Sequence, residues 1–79
     1  MLRLMIVDDE QIIREALSSM IDYTSLGYEV IATAKNGMEA YDRIRDDYPD
    51  VVITDIKMPI LNGLELIERA SRIDSRITF

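Results

Sequence analysis

The chain has 79 residues, 48% of them hydrophobic and 30% charged, which describes a folded soluble polypeptide of one domain at most and excludes a disordered tail. Fifteen acidic against 9 basic residues give a formal net charge of -6, so binding of nucleic acid or of an anionic membrane by this chain is not expected. With no cysteine and no histidine, disulfides and zinc are excluded, and packing and association are left to stabilise a small core.

In chain order, residues 2–7 (Leu-Arg-Leu-Met-Ile-Val) form an apolar strand that opens without the long apolar run and cleavage site of a signal peptide. No stretch approaches membrane-spanning length, and the expected location is the cytoplasm. Asp8, Asp9 and Glu10 then place negative charge where a helix begins. Ile13, Ala16, Leu17, Met20 and Ile21 recur at helical spacing, which predicts an apolar stripe ending near Tyr23. Tyr28–Ala34 is the second strand. Asn36 is placed to cap a second helix, with Glu39 three positions on and Ala40, Tyr41 and Ile44 as its inner stripe, and Pro49 closes it.

The third strand, Val51–Thr54, ends on Asp55, and a loop containing Pro59 leads to Asn62, which repeats the Asn-Gly-apolar-Glu cap before a third helix. Leu66, Ile67, Ala70 and Ile73 are that helix's expected buried side. Residues 76–79 look like the opening of a fourth strand. Among the residues outside the cores, Met58, Ile60 and Leu61 are expected to pack locally, and Arg43, Arg45, Asp46 and Asp47 to form a solvated helix face. The four tyrosines, at helix ends and strand starts, are expected to serve structure.

Alternating strands and helices dictate an α/β fold with a parallel sheet and right-handed crossovers, whose ligands bind beyond the carboxyl ends of the strands. Near-continuous aliphatic runs fit strands covered on both faces. Asp8, Asp9 and Asp55 therefore converge at one sheet edge. Crowded carboxylates repel one another until a cation joins them, and an oxygen-only set suits a hard ion, Mg²⁺ above all. A metal beside an aspartate points to phosphoryl chemistry.

Val7-Asp8-Asp9-Glu10, Asp55-Ile56-Lys57-Met58-Pro59 and Asn62-Gly63, at their combined spacing, resemble the receiver domain of two-component response regulators. The Ile21-Asp22-Tyr23 to Gly27-Tyr28 stretch, together with Asp55-Ile56-Lys57-Met58-Pro59, resembles regulators with AraC-type DNA-binding domains. The resemblance implies a flavodoxin-like doubly wound sheet of order 2-1-3-4-5, of which residues 1–79 would hold the N-terminal part, three strand-helix units and the start of a fourth strand, without an output domain. It implies a signalling domain, not an enzyme, that takes a phosphoryl group from a sensor histidine kinase. Asp55 would be the phosphoacceptor, Asp9 a direct Mg²⁺ ligand, Asp8 a ligand mostly through water, and Lys57 a ligand through its backbone carbonyl, with its side chain in solvent. A hydroxyl residue and a lysine of the family's site would lie beyond Phe79. Two alternatives compete with this reading. A phosphohydrolase of the haloacid-dehalogenase kind would need an aspartate two residues after the nucleophile, where this sequence has Lys57. An inert half-domain would assemble through its sheet face or terminal strand, with Ile77 and Phe79 on an unpaired edge, and a homodimer is the expected form.

Overall fold

In the computed structural model, which describes residues 1–58 and 60–79, three parallel strands alternate with three helices. β1 (Leu2–Val7) leads to α1 (Gln11–Ser19), a 3-10 turn at Thr24–Leu26, β2 (Tyr28–Ala34), α2 (Gly37–Asp47), β3 (Val51–Thr54) and α3 (Gly63–Ile73). The sheet order is β2-β1-β3, the first three strands of the order expected. β1 is central and buried over Leu4–Val7 because it is flanked by a strand on each side and covered on both faces. Its register aligns Val7 with Ala34 of β2 and with Thr54 of β3, so the three strands end level.

Alternation along the strands divides the interior in two. Met5, Val7, Ala34 and Val52 point to one face and pack with Ala40 and Ile44 of α2, Leu66 and Ala70 of α3, and Met58 and Leu61 of the connecting loop. Leu4 and Ile6 point to the other, where Tyr23 is buried and Leu17, Tyr28, Val30 and Val51 are half-buried. The Tyr23 hydroxyl donates to the Leu17 carbonyl at 2.6 Å, which ties the segment after α1 back onto that helix. Gly27, at φ 86°, adopts the left-handed turn that admits glycine most cheaply, and its carbonyl accepts from the Leu2 N–H at 2.9 Å, starting the β1–β2 pairing.

The two Asn-Gly sequences cap their helices as expected. Asn36 Oδ1 accepts from the Glu39 N–H at 2.8 Å, and Asn62 Oδ1 from the Glu65 N–H at 2.9 Å. α2 stops at Asp47, with Tyr48 in a left-handed cap just before Pro49. Its outer face carries the Arg43–Asp47 and Arg45–Asp42 pairs at 3.8 and 3.2 Å.

The first helix departs from expectation. It ends at Ser19, so Met20 is its cap residue and is 83% exposed, and Ile13 and Ile21 are also exposed; α1 has no buried residue. A stripe at helical spacing buries only where a partner surface faces it, and here Leu17 meets the smaller core. At the other end of the chain, Thr78 forms a parallel bridge to Val51, and Ile77 packs against the larger core instead of lying on an open edge. Phe79 stays exposed.

Candidate functional site

The level strand ends set the site. The sheet's hydrogen bonding continues one residue past β1 and past β3, with the Asp8 N–H donating to the Ala34 carbonyl and the Asp55 N–H to the Val7 carbonyl, both at 3.1 Å. Asp8 and Asp55 are thereby fixed side by side, and Asp9 follows Asp8. One carboxylate oxygen from each of Asp8, Asp9 and Asp55 lies within 4.8 Å of the others. Asp8 is buried, Asp9 and Asp55 exposed, so the cluster has a closed floor and an open mouth.

Asp8 has a structural task as well. Its Oδ1 accepts from the Glu10 N–H at 2.9 Å, holding the turn into α1, whose first turn contains no acidic residue. The expected negative charge at this helix start is therefore set just ahead of it. Asp55 Oδ1 accepts from the Lys57 N–H at 3.3 Å, a turn that folds the loop back toward the cluster. Lys57 itself is exposed.

The loop between β3 and α3 splits the expected packing group. Met58 and Leu61 are buried in the larger core, whereas Ile60 is 75% exposed at φ 72°, a left-handed backbone that a β-branched residue rarely adopts. The backbone turns Ile60 outward, and the expectation that it packs is corrected. Pro59 lies outside the described residues.

Two contributors were not evident from sequence. Gly63 donates its N–H to the Ile56 carbonyl at 2.9 Å, and a Cβ there would collide with the Asp55 carbonyl oxygen and stand 2.9 Å from the Ile56 Cα. The start of α3 thus rests on the peptide after Asp55, and capping by Asn62 alone gives no reason for a glycine at the next position. Arg14 reaches from α1 to donate Nη1 to the Asp8 carbonyl at 2.9 Å.

A parallel α/β sheet of order 2-1-3 with three aspartates at the ends of its first and third strands defines the receiver class of signalling domain. Residues 4–78 match the response regulator receiver domain family, and the chain belongs to it. It is 42% identical over all of its 79 residues to the transcriptional regulatory protein YesN of Bacillus subtilis, of which it spans 22%. Among solved structures it resembles the REC domain of AraT, a response regulator from Geobacillus stearothermophilus, with a TM-score of 0.90, 36% identity, and coverage of 96% of this chain and 59% of that one. The two component transcriptional regulator AraC from Clostridium phytofermentans matches with a TM-score of 0.89 and 31% identity over 98% of this chain and 62% of that one. The chain is thus shorter than the receiver-containing proteins it resembles, and its fold is the flavodoxin-like one. Among the described residues, no helix is long and apolar enough to cross a membrane.

Proposed function

We propose that this chain is the phosphoryl-accepting part of a receiver, with Asp55 as the acceptor and the phosphohistidine of a sensor histidine kinase as the physiological donor. The observation that carries the reading is the convergence of Asp8, Asp9 and Asp55 at aligned strand ends within a chain matched to the family over residues 4–78. The donor set is made of carboxylates, with no histidine or cysteine in the sequence, and fits Mg²⁺. Asp9, Asp55 and the Lys57 backbone carbonyl would hold the ion directly and Asp8 mostly through water. Bound Mg²⁺ would supply neutralisation of the carboxylates and of the phosphoryl oxygens, which is most of what phosphoryl transfer asks of a site.

The chain's own residues do the rest. Asp55 Oδ1 is engaged by the Lys57 N–H, so Oδ2 is the oxygen assigned to attack phosphorus. A P–O bond to Asp55 forms as the P–N bond of phosphohistidine breaks, and the departing imidazole takes up a proton. The Asp55 N–H bond to Val7 keeps the nucleophile at the sheet end throughout. In the longer protein, located in the cytoplasm, the modification would control an AraC-type DNA-binding output domain and so transcription.

Intact mass after incubation with acetyl phosphate and Mg²⁺ tests the assignment. One phosphate adduct is expected, lost in Asp55→Ala and on chelation of Mg²⁺. An adduct that survives either change refutes it.

We also propose that the 79-residue chain associates with a second copy through the face that carries α1. Leu26 and Ile53, 66% and 40% exposed, border an apolar groove of about 200 Å³ with Leu4, Tyr23, Tyr28 and Val51. Light scattering across a dilution series reads this directly.

A further inference from the structure

The peptide joining Asp8 to Asp9 is held by a side chain from outside the acidic cluster. Asp8 is pinned on three sides: its N–H by the Ala34 carbonyl at 3.1 Å, its carboxylate by the Glu10 N–H at 2.9 Å, and its carbonyl by Arg14 Nη1 at 2.9 Å. The first two bonds are local consequences of the strand and the turn. The third is different, because Arg14 spans six positions of sequence to make it, from a helix that buries none of its residues. That carbonyl and the Asp9 N–H belong to one planar unit, so a donor fixed on the oxygen also fixes the plane from which the Asp9 chain departs. Asp9 is exposed, so burial does not fix its orientation. A guanidinium suits the task. It stays charged at all working pH, and a charge-assisted bond to a carbonyl is about twice as strong as a neutral one.

We propose that Arg14 is a positioning residue of the acidic pocket: by holding the Asp8–Asp9 peptide plane it sets the direction from which the Asp9 carboxylate meets a divalent cation. The metal half of this statement rests on the reading of the pocket given above; the backbone half does not. Loss of a bond that orients a ligand typically weakens metal binding by about tenfold or more.

The experiment is a Mg²⁺ titration of the 79-residue chain followed by amide chemical shifts, comparing the parent sequence, Arg14→Met, Arg14→Lys and, as a control remote from the cluster, Arg45→Met. Arg14→Met keeps the apolar stem and removes the donor. In the metal-free state its Asp9 and Glu10 amide signals are expected to move, while those of β3 and α3 stay in place. Its Mg²⁺ affinity is expected to fall about tenfold. Arg14→Lys, which can still donate to the carbonyl, recovers part of both effects, and Arg45→Met changes neither. Unmoved Asp9 and Glu10 amides in Arg14→Met overturn the proposal, as does an affinity equal to the parent's. A loss of affinity accompanied by shifts throughout the sheet, with no recovery in Arg14→Lys, would show a packing role only and also overturn it. If the parent chain binds no Mg²⁺, the reading of the pocket fails instead, and the metal-free amide shifts still decide whether Arg14 holds the peptide.

Discussion

The two faces of the sheet are built to different standards. Behind Met5, Val7 and Val52, two Asn-capped helices and the inward-facing Met58 and Leu61 of the connecting loop close a core that, among the described residues, has ten buried members, Ile44 and Leu66 included. Behind Leu4 and Ile6, Tyr23 alone among the described residues is buried with them, and α1 on that side has no side-chain cap. The clustered aspartates at the ends of β1 and β3 straddle this divide. Asp55 is backed by the well-filled side through Gly63, while Asp8 is braced from the sparse side through Arg14. The difference teaches that position at the site comes from tight packing on one side and from a directed hydrogen bond on the other.

The comparison breaks most readily at Leu66, which is fully buried on the filled face. Leu66→Ala is expected to cost about 2–5 kcal/mol in urea unfolding, whereas Leu17→Ala, half-buried on the sparse face, should cost less than half as much. Equal costs would erase the distinction. A smaller effect is expected from Gly63→Ala, where the added methyl group must push α3 away from the Asp55–Ile56 peptide, at about 1–3 kcal/mol. The amide signals of Asp55 and Ile56 should shift in that variant while those of β2 remain; unchanged signals would mean that the filled face does not position Asp55. The smallest stability change is expected for Ile53→Asp, since Ile53 is already partly wet. Its effect should appear in mass: light scattering should report a single chain for the variant at concentrations where the parent associates. Association that persists in Ile53→Asp would place the contact elsewhere than the sparse face.

Much of this was legible in the sequence because it depends on periodicity and on local hydrogen bonding. The strand runs gave β1, β2 and β3 within their observed bounds, and the spacing of Asn36 to Glu39 and Asn62 to Glu65 gave two helix starts. Convergence of Asp8, Asp9 and Asp55 followed from parallel strands ending level. What escaped depends on contacts between segments. Met20 and Ile21 carry the right spacing for burial, but no facing surface takes them, and spacing alone cannot report a missing partner. Ile60 was assigned to packing by its hydrophobicity, and the backbone turned it outward. Gly63 looked like part of a cap, and only the approach of α3 to Asp55 reveals why a side chain is excluded. Nothing in the sequence singles out Arg14, because its reach to the Asp8 carbonyl depends on how α1 sits against the end of β1.

The sheet bonds that run on to Asp8 and Asp55 have a kinetic consequence. The amide protons of these two acids are locked into the ladder through Ala34 and Val7, so they can exchange with solvent only when the end of β1 separates from β2 or from β3. Their exchange should therefore be far slower than that of the surrounding loop, even though the Asp55 side chain is open to water. A phosphoryl group on Asp55 would be attached to the slow-moving part of the molecule, and any movement it provokes would have to be taken up by the loop after it or by α1, since the strand beneath is already committed.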